Sequence, residues 1–341
     1  MAIIDKPSDY FNTKLYTGTG STTNITGVGF NPDLVWIKCR SNAVTDNVLF
    51  DRVRGAGQRL VSNDTGAEET QTGIMSAFVT DGVTVGGGDA SNGSSKTYVM
   101  WNWLAGGSAS SNTDGSITSS VSANTTSGFS IVSYTGTGST ATIGHGLGSA
   151  PKMIIVKNRS AVEEWGVYHV SNGNTHVQYL NTTGAKSDDA GFWNDTTPTS
   201  SVFTVGNSTR VNQSGSAMIA YCFAEKQGYS KFGSYTGNGN ADGPFIYTGL
   251  KPAFILTKNA SGGNNWTMCD NKRNTYNPNN VVLNPNVSTI EANNNPIDYL
   301  SNGFKIRGTE GNTNTSGNTY IYMAFAEAPL VGTNNVPATA R

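Results

Sequence analysis

The stretch Pro32-Asp33-Leu34-Val35-Trp36-Ile37-Lys38-Cys39-Arg40-Ser41 decides the fold, because two further copies of it follow in the chain. The copies are Pro151-Lys152-Met153-Ile154-Ile155-Val156-Lys157-Asn158-Arg159-Ser160 and Pro252-Ala253-Phe254-Ile255-Leu256-Thr257-Lys258-Asn259-Ala260-Ser261. A proline cannot donate to a strand ladder, so each proline marks the start of a strand. Because both alternating faces of the following run are apolar, each copy is predicted to be a strand buried on both sides.

The repeat extends well beyond this stretch on both sides. A glycine-rich motif precedes each copy, and two strand-like segments follow it at nearly constant distances. The motif lies at residues 16–21, 134–139 and 235–240, and the later segments at 83–85, 203–205 and 304–306 and at 101–103, 221–223 and 323–325. This regular spacing predicts three copies of one domain of about a hundred residues, a normal domain size.

Composition and turn signals place the boundaries and the strands. Repeat one is predicted at 10–107, repeat two at 128–227 and repeat three at 228–330, with an N-terminal arm at 1–9, a Ser/Thr/Gly-rich linker at 108–127 that is partly a strand of repeat two, and a C-terminal tail at 331–341. The predicted strands are 11–17, 33–40, 47–53, 58–62, 74–79, 83–86 and 97–104, then 129–135, 152–158, 165–170, 176–181, 202–206 and 217–225, then 231–236, 253–258, 265–269, 280–284, 303–307 and 318–327. They indicate an all-β fold of three tandem homologous antiparallel β-sandwich domains of jelly-roll-like form. A compact triangle and an extended string of domains both remain open.

The overall composition excludes several classes of function. The 341 residues carry a net charge of −1, and only 13% of them are charged, so no basic surface for nucleic acid or for a membrane is expected. No apolar run approaches the length of a membrane span, and the N-terminus lacks a signal-peptide core, so folding in a cytoplasm is expected. Cys39, Cys222 and Cys269 occupy different places in the three repeats, which favours buried free thiols over a disulfide framework.

Several segments resemble a repeat found in virion proteins of bacteriophages of cyanobacteria and other marine bacteria. They are residues 112–136, 144–148 and 151–159, the piece Asp51-Arg52-Val53-Arg54-Gly55 and the opening Asp5-Lys6-Pro7-Ser8-Asp9-Tyr10-Phe11-Asn12. The resemblance covers nearly the whole chain and implies a virion structural protein, without fixing its position on the particle or supplying catalytic residues. Repeat three departs most, because Ala260 replaces the arginine of the other two copies.

The glycine-rich motif Tyr-Thr-Gly-Thr-Gly-Ser invites comparison with a phosphate-binding loop. It lacks both the Gly-Lys-Ser/Thr ending and a following helix, so the phosphate reading fails. The motif is instead predicted to be a turn after a strand, with its tyrosine packed inward.

Ionisable side chains give no convincing catalytic or metal site. His145, His169 and His176 all lie in repeat two, and a site formed by two histidines with Asp188 or Asp189 is less favoured than ordinary strand or surface histidines. The carboxylate pairs Glu68/Glu69, Glu163/Glu164 and Asp188/Asp189 are neighbours in sequence and are expected to be solvated loop charges. The loops 89–92 and 270–280 lack the spacing of a calcium-binding EF-hand. No cofactor and no metal are predicted.

Two groups of residues remain as structural or binding candidates. The structural anchors of the repeat are Pro32, Pro151, Pro252, Lys38, Lys157, Lys258, Trp165 and Trp266, the two tryptophans being expected in the core. Trp193 lies in a polar loop with Phe192 and Asp195 and has no counterpart in the other repeats. These three residues are the candidates for an interface or a glycan contact.

We therefore expect a non-enzymatic virion protein whose partners are other virion proteins, such as major capsid or tail subunits. Three similar domains in one chain would match a threefold position on a capsid, as a decoration or cement protein does. The first alternative is a tail-fibre or receptor-binding protein that recognises host surface glycans, and self-association is also compatible with the sequence. A depolymerase would need an acidic dyad, which the sequence does not supply.

Overall fold

The computed structural model describes residues 3–339 and has an all-β fold. Antiparallel sheets carry 43% of the residues as strand, and helix accounts for 4%. Short turns such as Ala190–Trp193 make up the helical part. The all-β prediction is therefore confirmed. Within residues 3–339, none of the helices has the length and apolar character needed to cross a membrane.

Repeat one forms a six-stranded and a three-stranded sheet. The large sheet has the order β1-β9-β3-β4-β5-β6 and the small one the order β2-β8-β7. A single 3₁₀ turn, Pro7–Asp9, precedes them. The strands are β1 (Phe11–Thr17), β2 (Thr23–Thr26), β3 (Leu34–Cys39), β4 (Asn47–Asp51), β5 (Gln58–Val61), β6 (Glu69–Thr70), β7 (Met75–Val79), β8 (Gly82–Val85) and β9 (Thr97–Trp103).

Repeat two, together with the segment before it, forms an eight-stranded and a two-stranded sheet. The large sheet has the order β10-β11-β12-β19-β14-β15-β16-β17, and the small sheet is β13-β18. The elements are β10 (Ser110–Asn112), β11 (Ser119–Asn124), β12 (Phe129–Thr135), β13 (Ala141–Gly144), β14 (Met153–Asn158), β15 (Gly166–His169), β16 (His176–Tyr179), β17 (Ser187–Asp188), α1 (Ala190–Trp193), β18 (Val202–Val205), α2 (Thr209–Asn212) and β19 (Ala217–Phe223).

Repeat three forms two four-stranded sheets. Their orders are β20-β27-β22-β23 and β21-β26-β25-β24. The elements are β20 (Ser230–Thr236), β21 (Phe245–Tyr247), β22 (Leu250–Asn259), β23 (Thr267–Asp270), β24 (Asn279–Val282), β25 (Ala292–Leu300), β26 (Gly303–Ile306), α3 (Gly311–Asn314) and β27 (Thr319–Pro329).

Four apolar clusters explain why the proline-headed strands are buried on both faces. Three clusters each lie between the two sheets of one repeat, and the fourth, here called the central cluster, contains residues of all three repeats. In β3, Val35 and Ile37 belong to the cluster of repeat one, whereas Leu34 and Trp36 belong to the central cluster. Successive side chains of a strand point to opposite faces, so one strand serves both clusters. The predicted two-sided burial is confirmed.

The Ser/Thr-rich segment at 108–127 is ordered as part of repeat two. Its residues form β10 and β11, which pair with each other and then with β12. Ile117 enters the cluster of repeat two and bridges to Ile143. Part of the predicted linker is therefore strand, because β10 and β11 join the sheet that contains β12.

The N-terminal arm lies against repeat three of its own chain. Ile4 is buried in the central cluster, and its N–H donates to the carbonyl of Gln227 at 3.2 Å. Asp5 accepts hydrogen bonds from the backbone N–H and the hydroxyl of Thr333. The N-terminal arm therefore contacts the C-terminal tail and the boundary between repeats two and three.

A buried asparagine holds the glycine-rich motif in each repeat. Asn212 accepts a hydrogen bond from the N–H of Thr137 at 2.8 Å and donates to the carbonyl of Ser139 at 2.7 Å. Asn92 and Asn314 make the same pair of bonds in repeats one and three. The motif is therefore a structural turn, and its tyrosines donate to backbone carbonyls in all three repeats.

The close approach of the chain at this turn predicts a strong requirement for glycine. A Cβ on Gly136 would lie 2.3 Å from the carbonyl oxygen of Gln213, whereas a Cβ on Gly184 would find its nearest neighbour at 3.6 Å. We expect Gly136→Ala to lower the free energy of unfolding by roughly 2 kcal/mol, as overpacking does. The matched change Gly184→Ala should alter it by less than about 0.5 kcal/mol. Urea unfolding checks both, and equal effects would contradict the turn geometry.

Candidate functional site

The three repeats meet in the central cluster, and the contacts there follow one pattern. Trp103, Phe223 and Phe325 occupy the same register position in their repeats, opposite the third residue of each proline-headed stretch. Their ring centroids lie 6.4, 5.8 and 6.0 Å apart, so each ring contacts the other two. One equivalent aromatic side chain from each repeat thus forms a triangle at this end of the cluster.

The three lysines of the repeated stretch lie at the opposite end of the same strand faces. Lys38, Lys157 and Lys258 are fully buried, which is rare for lysine unless its charge is satisfied. Each lies two residues beyond a member of the central cluster, so each side chain leaves the strand toward the neighbouring repeat. The sequence singled them out as anchors, and their contacts show how they act.

Each lysine joins two repeats through backbone carbonyls. Lys157 donates to Ala161 and Glu163 of its own loop and, at 2.9 Å, to the carbonyl of Thr65 in repeat one. Lys258 donates to Asn264 and, at 2.8 Å, to Thr183 of repeat two. Lys38 donates to Thr45 and, at 2.9 Å, to Ser288 of repeat three. We call each such contact region between two repeats a junction. Repeat two donates to repeat one, repeat one to repeat three and repeat three to repeat two, so the three junctions form a closed ring.

Burial has the same effect on the three ammonium groups. It lowers the pKa of Lys38, Lys157 and Lys258 to about 8. Each group therefore stays mostly protonated at neutral pH, and its protons are shared among carbonyl oxygens of two repeats. An ammonium group has three donors and no acceptor, which suits a site made only of carbonyls.

A second set of contacts involves β4, β15 and β23 and joins the same three pairs of repeats. Asp51 accepts a hydrogen bond from the hydroxyl of Tyr221 in repeat two at 2.8 Å. Asp270 accepts one from the indole nitrogen of Trp101 in repeat one at 3.1 Å. Repeat two has His169 in this place, and its Nε2 lies 3.1 Å from the carbonyl of Tyr322 in repeat three.

Arginines inside the repeats complete the two aspartate sites. Arg54 pairs with Asp51, and Arg273 with Asp270, both pairs being fully buried. Asp51 and Arg54 belong to one of the segments that resemble virion proteins. In this structure they form a buried ion pair that binds Tyr221 of repeat two.

An arginine–glutamate pair spans two of the three junctions. Arg159 binds Glu68 of repeat one through two nitrogens at 2.9 and 2.7 Å, and Arg40 binds Glu291 of repeat three at 2.8 and 2.8 Å. Burial alone would raise the pKa of Glu68, but the hydrogen bond from Arg159 and the nearby charge of Arg54 hold it below its usual range. Bidentate pairs of this kind are geometrically specific.

The third junction lacks both members of that pair. Ala260 stands in the place of the arginine, and the position that carries glutamate in the other two junctions is Lys186, whose backbone N–H donates to the carbonyl of Ala260 at 3.0 Å. The same backbone bond joins Glu68 to Arg159 and Glu291 to Arg40. Ala260 therefore cannot make the arginine contact of the other two junctions, and the lysine at position 186 avoids leaving a carboxylate without its partner.

The two predicted core tryptophans also lie at junctions. Trp165 donates its indole N–H to the carbonyl of Val61 in repeat one at 2.9 Å, and Trp266 donates to Tyr179 in repeat two at 2.9 Å. At the third junction the amide of Asn47 donates to Val287 of repeat three at 2.9 Å. The tryptophans are fully buried members of the central cluster, as anchors should be.

The candidate glycan residues are not presented to solvent. Trp193 is 1% exposed and Phe192 is fully buried, because Asp189 caps α1 and turns both rings into the cluster of repeat two. The indole N–H of Trp193 donates to the carbonyl of His176 at 3.2 Å. Asp195 alone is exposed. Because its indole ring is buried, Trp193 does not offer a face on which a sugar could stack.

The other ionisable candidates are dispersed. His145 is buried against the carbonyl of Thr199, His169 lies at a junction, and His176 is on β16. Within residues 3–339, no three histidine, cysteine, aspartate or glutamate side chains come together as a metal site. Glu68 was expected to be a solvated loop charge. That prediction was wrong, because the Glu68 side chain is mostly buried between Arg54 of repeat one and Arg159 of repeat two. The three cysteines are buried free thiols.

A family profile described as a domain of unknown function (DUF7483) matches residues 6–329. No curated protein and no solved structure matches the chain.

Removing one junction lysine should destabilise the whole protein. Lys157→Met keeps the apolar stem but removes the ammonium group that donates to the carbonyls of Thr65, Ala161 and Glu163, so we expect a loss of about 3 kcal/mol in the free energy of unfolding. Lys152→Met, on the same stretch but partly exposed, should cost less than about 0.5 kcal/mol. Urea unfolding measures both values. A small loss for Lys157→Met would mean that water replaces the lysine without cost.

His169 should make stability fall in mild acid. Burial lowers its pKa from 6.5 to about 4, so between these values the unfolded chain takes up a proton that the folded chain does not. The stabilisation from neutral His169 is complete above pH 6.5 and is lost progressively toward pH 4, by up to roughly 3 kcal/mol. Unfolding of wild type and His169→Gln at a series of pH values checks this, because the variant should lose less stability over that interval. Parallel curves would contradict it.

Proposed function

The chain belongs to the family described as a domain of unknown function (DUF7483), and we propose that it is a structural protein of a virus particle that docks on neighbouring subunits and stabilises the shell. The observation that carries the proposal is the closed ring of junctions, in which repeat two donates to repeat one, repeat one to repeat three and repeat three to repeat two. Interfaces of this head-to-tail kind form closed rings when the rotation between units allows it.

The ring supports a more detailed view of the architecture. The three repeats would be three copies of one β-sandwich domain, of jelly-roll-like form, arranged about a pseudo-threefold axis near Trp103, Phe223 and Phe325. Equivalent side chains at each junction, such as the three lysines, support this arrangement. A single chain of this kind imitates a trimer and would fit a threefold or pseudo-threefold position between capsid subunits.

The use of the buried charges supports a structural role over catalysis. Asp51, Arg54, Glu68 and the junction lysines all bind groups of a neighbouring repeat or support a residue that does. Paired in this way, the charges hold the ring together and are not directed toward a cleft. A protein that binds only the assembled shell stabilises that shell by mass action. The repeated segments, which resemble virion proteins of marine phages, provide the link to a particle.

The proposal is tested on assembled particles. We expect the protein to bind shells that lack it, at their threefold or pseudo-threefold positions in a cryo-EM map, and to raise the temperature at which the shells release their contents. Lys157→Met, which weakens the ring, should lose most of this protection at temperatures where wild type retains it. A map that places a few copies at a tail, or a protein that leaves shell stability unchanged, would contradict a capsid-stabilising role.

A further inference from the structure

An edge strand of repeat three differs from its counterparts in the other two repeats. In each repeat, the sheet without the proline-headed stretch begins with β2, β13 or β21. Each of these strands places one isoleucine inward: Ile25, Ile143 and Ile246. The side chains next to that isoleucine point outward. They are Asn24 and Thr26 in repeat one, Thr142 in repeat two, where the other neighbour is the buried Gly144, and Phe245 and Tyr247 in repeat three. Only repeat three has large aromatic side chains here, and they are 46% and 59% exposed.

The peptide groups of the two aromatic residues face the open side of the sheet. The N–H of Ile306 donates to the carbonyl of Pro244, and the N–H of Thr248 donates to the carbonyl of Asn302. Hydrogen-bonded positions alternate along an antiparallel pair, so Ile246 bonds to β26, whereas Phe245 and Tyr247 direct their N–H and C=O groups away from it. Since β21 is at the end of its sheet, these groups have no strand beside them within the described residues.

The chain itself shows what such an edge accepts. In repeat two, the corresponding outward residue Thr142 receives a hydrogen bond at 3.0 Å from the N–H of Ile117, and its own N–H donates to the hydroxyl of Ser116 at 2.9 Å. Ile117 forms a parallel bridge with Ile143 and is buried in the cluster of repeat two. A segment that precedes β11 therefore bonds to the outer edge of β13.

A cavity lies beside β21, so the edge could bind side chains of an added strand as well as its backbone. It has a volume of about 300 Å³, and its apolar lining includes Ile3, Tyr247, Pro329, Leu330 and Val331. An extended chain that bonds to Phe245 and Tyr247 would pass this cavity, and alternate side chains of an added strand can enter a neighbouring pocket while the backbone supplies the hydrogen bonds.

We propose that β21 is a docking edge for an extended strand of a different protein, which pairs with Phe245 and Tyr247 as the segment at Ile117 pairs with β13. The strand would be uncharged, with a branched aliphatic residue between small hydroxyl residues. A second copy of this chain is the weaker occupant, because pairing two three-residue edges buries far less than the roughly 1,200 Å² of a stable interface. The inference rests on the proposed function for its protein partner and names the surface that partner uses.

The first experiment uses a synthetic peptide as the probe. Residues 115–121 of this chain, an uncharged peptide that includes Ser116 and Ile117, are labelled and titrated with the full-length protein by fluorescence anisotropy. Phe245→Pro removes an outward N–H that no strand of this sheet uses, so the fold should persist. We expect wild type to bind the peptide and Phe245→Pro to bind at least tenfold more weakly. Asn24→Pro, the matched change on β2, should leave binding unchanged.

The outcomes separate the alternatives. Equal binding by Phe245→Pro, or no binding by wild type at the highest soluble concentration, would overturn the docking edge. If Phe245→Pro fails to fold by circular dichroism, Tyr247→Lys replaces it, since a lysine on an edge strand opposes pairing. Sedimentation of wild type as a dimer that Phe245→Pro converts to a monomer would replace the foreign strand with a second copy.

Particle binding distinguishes failure of this inference from failure of the proposed function. If wild type and Phe245→Pro bind shells equally, the edge is not the docking surface, although the structural role stands. If wild type binds the peptide through β21 but does not bind shells, the edge stands and the particle assignment fails. Loss of shell binding by Phe245→Pro, with Asn24→Pro unaffected, supports both.

Discussion

The three proline-headed strands are each apolar on both faces, and a single sandwich can cover only one of those faces. One face packs on the second sheet of the same repeat, and the other face needs a neighbour. Each repeat finds that neighbour in another repeat, so the three sheets that hold these strands enclose the central cluster. Burial of this second face is the constraint on which the rest of the structure depends, because hydrophobic burial is the main favourable contribution to folding.

The junction lysines follow from the same constraint. A side chain at the end of a strand face that enters a shared core must itself be buried, and a buried ammonium group needs acceptors. Strand β3 and its counterparts supply no free carbonyls of their own, so the acceptors come from the loop of the same repeat and the loop of the neighbour. Each repeat thus recognises its neighbour in two ways: through apolar contacts in the central cluster, and because the buried lysine needs carbonyl acceptors from that neighbour.

The ring is regular in direction but not in chemistry. Tyr221 and Trp101 donate to aspartates, whereas the third junction uses His169 and a backbone carbonyl. This third junction also lacks the arginine and the glutamate that pair at the other two. It joins repeats two and three, which are also connected by the short segment between Phe223 and Ser230, so the covalent chain can replace part of what the ion pair contributes elsewhere.

Local sequence patterns were sufficient for most strands and insufficient for most junction contacts. The bounds of β1 and β12 match the prediction, because alternation and turn signals act over a few residues. The short edge strands β2, β13 and β21 were missed, since three or four residues beside glycine or proline give little periodicity. Trp193 was a candidate for an interface or a glycan contact because it lies in a polar loop, but the Asp189 cap turns it inward. Glu68 and Arg159 are 91 positions apart, and no local pattern connects them.

The order in which the repeats leave the ribosome gives the closed ring a particular vulnerability. Repeat one is synthesised first, with Leu34, Trp36 and Trp101 directed toward partners that do not yet exist. Repeat two covers part of this surface, but the circle closes only when the last repeat has been translated. Until then a large apolar face stays open to other nascent chains, which is the condition under which aggregation competes with folding. Fusing three units into one polypeptide shortens that interval, because the missing neighbours arrive in fixed number and order on the same chain.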